Sequence, residues 1–277
     1  MTGIIVDSCC DISKEFAEKN KIGIVPFKIY IDGVEYVDND KLDKNNFLEK
    51  MKASKNPIRT SCPSPFEFKE KILEMEEDEL IIITISKQLS GTYNAAKVGM
   101  EEAQKENPNK KIHILDSLSA AAGEVSLLYS FLQWKDKFDF ETLVEKLEER
   151  VKELKTFFIL ERFDNLVKNG RMKKVTGILA GALNIRPIMQ GVKGEIEVFQ
   201  INRGFKKSLI NLAKSFGNIS HDFQDKILFI TESNDVKKAE LFKEKVKELY
   251  NFKDIIILEA KGLSTTYADD GGIVIAF

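Results

Sequence analysis

The sequence predicts an α/β protein of two domains, an N-terminal domain with a mostly parallel sheet and a C-terminal domain with a mixed sheet. Short aliphatic runs alternate with helical segments along the whole chain, which is typical of α/β folds. The 277 residues are enough for two domains of ordinary size. From about residue 156 the pattern of the segments changes, so we predict domains at residues 1–155 and 156–277.

The overall composition is that of a globular protein, with 43% hydrophobic and 31% charged residues. The formal net charge of −2 gives no indication of a nucleic-acid or anionic-membrane surface. No apolar run approaches the ~20 residues of a membrane span, and the start, MTGIIVDSCC, lacks a signal-peptide pattern. We therefore expect a cytoplasmic protein without a nucleic-acid partner. The near-neutral charge and the lack of a coiled-coil stripe favour a monomer.

The three cysteines, Cys9, Cys10 and Cys62, are too few for a disulfide framework. A structural zinc site needs four ligands, and neither a second Cys pair nor a His pair is present. The two histidines, His113 and His221, stand alone in the sequence, so a Ser-His or Cys-His catalytic pair has few candidate members. The sequence predicts no metal, no cofactor and no catalytic residue.

The N-terminal half begins with a strand, GIIVD, and a helix, SKEFAEKN, that Asp11 or Ser13 caps. The stretch IGIVPFKIYIDGVEYVD predicts two strands about Asp32-Gly33, the dipeptide that a type I′ hairpin turn prefers. A helix, LDKNNFLEKMKAS, follows. In the next one Ser64 and Glu67 have the spacing of a capping box, with proline at the first helical position.

The rest of this half repeats strand and helix. LIIITI predicts a buried strand, and Ser90 is the expected N-cap of the helix GTYNAAKVGMEEAQKE. KIHILD predicts another strand, and SLSAAAGEVSLLYSFLQW the helix after it. The segment DFETLVEKLEERVKELK predicts an amphipathic helix, because its apolar residues fall on one face.

The C-terminal half opens with the strand TFFILER. DNLVKNGRMKKVTGILAGALN then predicts a helix, a basic turn and an apolar helix. IRPIMQG and GEIEVFQIN predict two strands about Lys193-Gly194, and GFKKSLINLAKSFGNI a helix. KILFIT, DVKKAELFKEKVKELY and DIIILEA predict a βαβ unit. We expect the end, GLSTTYADDGGIVIAF, to form a polar loop and a last strand.

Small hydroxyl residues follow three strands of the N-terminal half, namely Ser8, Ser90 and Ser117, and each precedes a helix. A further helix start, RTSCPSP, carries Thr60 and Ser61. The carboxyl ends of parallel strands meet at one edge of a sheet, where ligands bind. Helix N-termini there present unpaired N–H groups, so these loops indicate an anion site.

Each of these residues also has a purely structural interpretation, since a lone serine before a helix is usually an N-cap worth ~1 kcal/mol. That interpretation suits Ser64 best, and both stay open for Ser8 and Ser117. Ser90, Gly91 and Thr92 together exceed what a cap requires.

A carboxylate fits this anion site better than a nucleotide does. Neither GxxxxGK[ST] nor GxGxxG is present, and the loops contain few basic residues. Arg171, in VKNGRMKK, could bind a carboxylate bidentately or could belong to a basic surface turn. The alternative function is a hydrolase or phosphotransferase acting through Ser90. It is less favoured, because QLSGT is not a GxSxG elbow and no histidine follows in a suitable context.

Six short motifs, taken in series, resemble the DegV family. They are VDSCCDIS, RTSCPSP, ISKQLSGTYNAA, LDS, VKNGRMKK and NIRPI, and they cover essentially the whole chain. The resemblance implies two α/β domains with a ligand in the cleft between them. It implies a long-chain fatty acid as ligand, with its carboxylate at the mouth and its acyl chain buried.

The same resemblance implies a non-catalytic role. Family members of known role are the binding subunit of a bacterial fatty-acid kinase, presenting the carboxylate to a separate catalytic subunit for phospholipid synthesis. Thr60 and Ser90 match the positions that hydrogen-bond the carboxylate, and Arg171 matches the family arginine beside it. Ser61 and Gly91 adjoin these residues and should line the site.

One position departs from the family pattern. Many members have a histidine in a glycine-bearing loop near the C-terminus, and here Tyr267 of TTYADDGG takes its place. Tyrosine donates to a carboxylate but does not become cationic at neutral pH. Asp269 and Asp270 add negative charge nearby, so delivery to a kinase is less secure than fatty-acid binding. The apolar stretch GILAGALNI could line the acyl tunnel or could be an ordinary packed helix.

Overall fold

The computed structural model describes residues 2–172 and 184–277, and all structural statements below concern those residues. In chain order the strands are β1 (Thr2–Asp7), β2 (Ile22–Val25), β3 (Lys28–Ile31), β4 (Val34–Val37), β5 (Arg59–Ser61), β6 (Glu79–Thr84), β7 (Lys111–Asp116), β8 (Thr156–Ile159), β9 (Ile188–Val192), β10 (Glu195–Gln200), β11 (Ile227–Glu232), β12 (Asp254–Glu259) and β13 (Ile273–Ala276). The helices are α1 (Lys14–Lys19), α2 (Lys44–Ala53), α3 (Pro65–Glu74), α4 (Thr92–Glu106), α5 (Ala122–Trp134), α6 (Phe140–Glu153), α7 (Asp164–Lys168), α8 (Phe205–Ile219), α9 (Val236–Lys247) and α10 (Gly262–Ala268).

The first sheet is parallel, as the sequence predicts. Its strand order is β2-β1-β6-β7, and every recorded pair in it is parallel. Ile81, Ile82 and Ile83 of β6 are fully buried, which explains the near-continuous aliphatic run of this central strand. The carboxyl ends of β1, β6 and β7 therefore meet at one edge of the sheet.

A second, three-stranded sheet of order β4-β3-β5 is antiparallel and was not predicted as such. The expected single strand before Asp32 is divided at Pro26, so that β2 joins the parallel sheet and β3 joins the small one. The predicted hairpin turn is confirmed, because Asp32 and Gly33 both have positive φ, 50° and 83°. The stretch expected to lead into α3 contains β5, which pairs Thr60 with Ile29.

The C-terminal sheet is mixed, as predicted, with the order β10-β9-β8-β13-β11-β12. β11 and β12 pair in parallel and are joined by α9, which confirms the βαβ unit. β9 and β10 form the predicted hairpin, with φ of 51° at Lys193 and 84° at Gly194.

The helix caps differ from prediction at one of the positions considered, Ser90. The capping box of Ser64 and Glu67 is present, with proline at the helix start. Ser13, and not Asp11, caps α1 by accepting the N–H of Phe16. Gly91 rather than Ser90 is the N-cap of α4, so the prediction for Ser90 is wrong. The Ser90 hydroxyl instead hydrogen-bonds the Thr92 hydroxyl at 2.8 Å.

The two halves share part of their core. Helix α5 packs against β6 of the first sheet and against β11 and β13 of the C-terminal sheet. One cluster of buried residues accordingly extends from Val6 and Leu128 to Phe229 and Ala276. The division at residue 155 stays a prediction.

Two further sequence predictions concern single segments. The expected polar loop before β13 is wrong, because residues 262–268 form helix α10, with all residues buried except Tyr267. Most of the apolar stretch GILAGALNI, residues 177–185, lies outside the described residues. Within the described ranges, no helix has the length and apolar character to cross a membrane.

Candidate ligand-binding site

A cavity lies between the two halves, with a volume of about 890 Å³ that includes its open mouth. Its walls are mainly aliphatic and aromatic side chains contributed by both halves. They include Phe27, Ile85, Leu89 and Leu118 from the first half and Phe158, Leu160, Ile196, Leu263 and Val274 from the second. Such walls suit an apolar ligand.

Four of the six predicted site residues line this cavity, namely Thr60, Ser90, Arg171 and Tyr267. The Thr60 hydroxyl lies 2.7 Å from the Tyr267 hydroxyl, and the Arg171 guanidinium carbon lies 5.8 Å from the centre of the Tyr267 ring. Arg171 Nε also donates to the carbonyl of Leu89, next to Ser90, at 3.2 Å. Residues far apart in sequence thus form one polar group beside an apolar space.

The other two predicted residues do not line the cavity. Ser61 follows Thr60 in β5, and successive side chains of a strand point to opposite faces. Gly91 is exposed, and a Cβ placed on it would lie 3.6 Å from the sulfur of Cys62. Contact of Ser61 or Gly91 with a ligand stays a prediction.

Arg171 is held by two backbone carbonyls. Besides the bond to Leu89, its Nη1 donates to the carbonyl of Asn169 at 2.7 Å. These acceptors are uncharged, so the bonds orient the guanidinium without neutralising its charge. The Asn169 side chain donates to the carbonyl of Ile58 at 2.9 Å, which fixes this turn against the segment that leads into β5.

Helix α10 carries Tyr267, and its N-terminus is held by acidic residues of the other half. Asp38 accepts the N–H groups of Gly262 and Leu263 at 2.7 and 2.9 Å, and Asp11 accepts that of Lys261 at 2.7 Å. Carboxylates stabilise a helix N-terminus, where unpaired N–H groups carry partial positive charge. Contacts with distant segments therefore stabilise the helical form of residues 262–268, and these contacts cannot be recognised from the local sequence.

Burial dominates the electrostatics of these acids. It raises the pKa of Asp38 above its usual value and that of Asp11 to about 7, and the hydrogen bonds to backbone N–H groups oppose this rise. Asp7 lies deeper, accepting the N–H groups of Cys9 and Ile85 at 2.9 and 2.8 Å, and burial raises its pKa to about 7 as well.

Asp7, Cys9 and Glu124 bring an oxygen or sulfur atom each within 4.8 Å of one another, so their donor atoms could surround a cation. Burial, the main cause, and neighbouring negative charges raise the pKa of Glu124 and of the Cys9 thiol well above their usual values. A metal ion requires the deprotonated forms, whereas these shifts favour the protonated ones. The trio is better suited to holding protons at the cavity wall, which Cys9 lines, and behind it, where Asp7 and Glu124 lie.

The backbone of the cavity wall is strained at two places. Leu118 and Ala121 line the cavity with positive φ, 48° and 54°, in residues that have a Cβ. The Ala121 N–H donates to the sulfur of Cys9 at 3.4 Å. Strained backbone of this kind clusters at functional sites.

The tip of the β9–β10 hairpin is also tied to the first half, because Ser86 Oγ donates to the carbonyl of Gly194 at 2.9 Å.

The remaining hydroxyls at strand ends have different partners. Ser8 donates to Asp38 at 2.8 Å and accepts the N–H of Phe27 at 3.0 Å, and Ser117 donates to the carbonyl of Ser119 at 3.1 Å. Ser119 and Thr156 do line the cavity, with their hydroxyls 2.6 Å apart, and sequence reasoning missed both. Ser119 stands in the same strand-end loop as Ser117, a signal that could have found it.

The histidines lie outside the described cavity lining. The His113 Nε2 is 3.0 Å from a carboxyl oxygen of Glu148, and His221 is exposed. Ser90 therefore has no histidine partner among the lining residues, which removes support from the nucleophile hypothesis.

Comparison with known proteins yields consistent similarities. The family model named DegV matches residues 1–277. A DegV domain-containing protein of Streptococcus gordonii is 32% identical, with 99% of this chain and 98% of that protein covered. A DegV family structure from Ruminococcus gnavus, described with vaccenic acid, has a TM-score of 0.95 at 34% identity, covering 100% of this chain and 99% of that one. The Fatty Acid Kinase (Fak) B3 protein of Streptococcus pneumoniae, loaded with linoleic acid, has a TM-score of 0.91 at 29% identity over the same shares.

Proposed function

The chain belongs to the DegV family, and from this premise we propose that it binds a long-chain fatty acid in the cavity between its halves. The observation that carries this proposal is the cavity itself, whose apolar walls end in three hydroxyls and a guanidinium. Each CH₂ group removed from water contributes ~0.8 kcal/mol, so such walls suit an acyl chain. The related structures described with vaccenic and linoleic acid support the same ligand class.

In the proposed complex, the hydroxyls of Thr60, Ser90 and Tyr267 donate to the fatty-acid carboxylate. Arg171 supplies the positive charge, which its two carbonyl contacts hold in place. Hydrogen bonds to a charged group are worth about 1.5–3 kcal/mol, more than bonds between neutral partners. Ser61 and Gly91 support this site by placing Thr60 and Ser90.

The protein itself performs no chemistry in this proposal. It presents the carboxylate to a separate fatty-acid kinase, the role that the related Fak B3 name indicates. The kinase uses cytoplasmic ATP, so we place the complex in the cytoplasm, which cell fractionation with a specific antibody would test. Tyr267 supplies an uncharged donor where the family resemblance implies a histidine in many members, so we test the fit to a given kinase separately from fatty-acid binding.

Native mass spectrometry of the purified protein tests fatty-acid binding directly. We expect a bound mass of fatty-acid size, which is lost after delipidation and restored by added oleate or palmitate. A clean spectrum without uptake of either acid would overturn the proposal. Adding a bacterial fatty-acid kinase catalytic subunit and ATP to the loaded protein tests the second step, with acyl phosphate as the expected product.

A further inference from the structure

Helix α10 links two separate contacts between the halves. At its N-terminus it rests on the buried carboxylate of Asp38, and near its C-terminus Tyr267 meets Thr60. We propose that Asp38 is a positioning residue of the ligand site, because it places α10 so that the Tyr267 hydroxyl faces Thr60. This inference rests on the proposed function and assigns a role to a residue that does not line the cavity.

The orientation of Asp38 is fixed on all sides. Its Oδ1 accepts the N–H of Gly262, and its Oδ2 accepts the N–H of Leu263 and the hydroxyl of Ser8. The side chain is 3% exposed, so water does not replace these donors. Ser8 in turn accepts the N–H of Phe27, whose ring lines the cavity.

The first residue of α10 allows a close approach. A Cβ on Gly262 would lie 2.7 Å from Asp38 Oδ1 and 2.7 Å from the Leu42 Cδ2. A side chain at this position would separate the helix from the carboxylate. Two independent features, the hydrogen bonds and the glycine, therefore determine the same position of the helix start.

The helix transmits this position to the cavity. Tyr267 follows Gly262 by five residues, about 7.5 Å along the axis. A helix of seven residues is too short to be stable alone, so its placement depends on the contacts at its ends. Asn165 donates to the carbonyl of Thr266 at 2.7 Å, and Lys52 pairs with Asp270 at 2.8 Å, which hold the C-terminal end.

A double-mutant cycle between Asp38→Asn and Tyr267→Phe tests the proposal. Asparagine has nearly the same shape as aspartate. However, its NH₂ group replaces one of the two accepting oxygens and therefore cannot bind the helix N–H group that faces it. We expect each single variant to weaken oleate binding about tenfold, and the double variant to bind no more weakly than Tyr267→Phe. Dissociation constants come from displacement of a fluorescent fatty acid from delipidated protein.

Asp139→Asn is the matched control. Asp139 also caps a helix, α6, accepting the N–H of Thr142 at 2.9 Å, but it lies outside the described cavity lining. Its variant should lower the melting temperature without changing oleate affinity. Gly262→Ala leaves every polar group in place and should reproduce the Tyr267-dependent loss if Asp38→Asn expresses poorly.

Two outcomes would overturn the inference. One is that Asp38→Asn lowers stability but leaves oleate affinity unchanged. The other is that it lowers affinity by the same factor with tyrosine and with phenylalanine at position 267, as a general structural defect would. If the unmutated protein takes up no fatty acid, the proposed function fails instead, so the two failures are distinguishable.

Discussion

The hydroxyls of Thr60 and Tyr267 lie 2.7 Å apart, joining the small antiparallel sheet of the first half to a short helix of the second. In this bond one hydroxyl donates and the other accepts. A bound carboxylate takes donors from both, because it only accepts hydrogen bonds. The bond therefore marks where the polar end of a ligand would enter the contact between the halves.

Removing either hydroxyl should weaken fatty-acid binding by at least about tenfold, since a hydrogen bond to a charged group is worth about 1.5–3 kcal/mol. Thr60→Val and Tyr267→Phe remove the hydroxyls with little change of shape. Fluorescent displacement with oleate measures the loss, and oleyl alcohol serves as an uncharged comparison that should lose less. Equal affinity of the variants and the unmutated protein for oleate would show that the carboxylate binds elsewhere.

Changing Tyr267 to histidine addresses delivery to a kinase separately from binding. We expect Tyr267→His to keep oleate affinity within about fivefold of the original, because imidazole also donates to a carboxylate. It should increase acyl-phosphate formation by a fatty-acid kinase whose own binding subunit has histidine there. Product formation that does not change with this residue would mean that Tyr267 is compatible with the kinase as it stands.

Arg171→Met should reduce oleate affinity by roughly tenfold or more, and Arg171→Lys, which keeps the charge but not the fork, should recover only part of that loss. The guanidinium reaches the carbonyls of Leu89 and Asn169 at once, and a single ammonium group does not reproduce that fork. Lys168→Met, an exposed charge at the end of α7, is the control and should have little effect. If lysine at position 171 restores full affinity, charge alone is sufficient and the orienting bonds are unimportant.

Gly194→Ala and Gly33→Ala are a matched pair of variants that tests whether the tip of the β9–β10 hairpin forms part of the cavity wall. Both glycines have nearly the same positive φ, 84° and 83°, so alanine should cost a similar ~1 kcal/mol of strain at each. A Cβ on Gly194 would lie 2.4 Å from Ser86 Oγ, whereas one on Gly33 has nothing within 4 Å. Only Gly194→Ala should weaken oleate binding. Identical binding by both variants would separate the tip from the cavity wall.

Asp11→Asn should make stability less dependent on pH. The folded pKa of about 7 exceeds the usual 3.8, so the native state holds a proton that the unfolded state loses between these values. The ionisation of Asp11 therefore adds no cost to folding below pH 3.8. Above that pH it lowers the free energy of unfolding by up to about 1.4 kcal/mol per pH unit, and the effect levels off above pH 7. Urea unfolding should show that the free energy of unfolding of the variant rises relative to that of the unmutated protein from pH 4 to 7.

Asp139→Asn gives the opposite sign and so serves as the control. Hydrogen bonds from Thr142 lower the pKa of Asp139, so its contribution is present above the usual pKa and is lost on acidification. The free energy of unfolding of the Asp139 variant should therefore drop below that of the unmutated protein as the pH rises toward 3.8, and the difference should stay constant from pH 4 to 7. If the free energy of unfolding of Asp11→Asn and of the unmutated protein changes with pH in parallel, Asp11 has the same pKa in the folded and unfolded states, which would contradict the prediction.

Local signals in the sequence predicted local structure well. The Ser64–Glu67 box, the Asp32-Gly33 turn and the βαβ unit each depend on residues close together in the chain, and all are present. Helix α10 was missed because its N-terminal carboxylates come from residues more than two hundred positions away. The sequence predicts Ser90 as a cap, whereas in the structure its hydroxyl bonds to Thr92 and Gly91 occupies the cap position.

Strand-end position and residue chemistry alone indicate one anion site with Thr60 and Ser90, and with Arg171 as a further candidate. The family resemblance adds Tyr267 and assigns the contacts to a carboxylate. No local pattern places β5 of the first half against α10 of the second, since that contact depends on how the sheets pack. The same limit applies to Ser119 and Thr156, which belong to different halves and meet only in the folded chain.

The position of helix α5 between both sheets has a consequence for how a ligand comes and goes. Separating the two halves would expose Leu128 and Phe229 to water. Each large apolar side chain exposed in this way costs about 1.5–3 kcal/mol. We therefore expect exchange of bound molecules to be much faster than separation of the halves, and to proceed by local displacement at the cavity mouth.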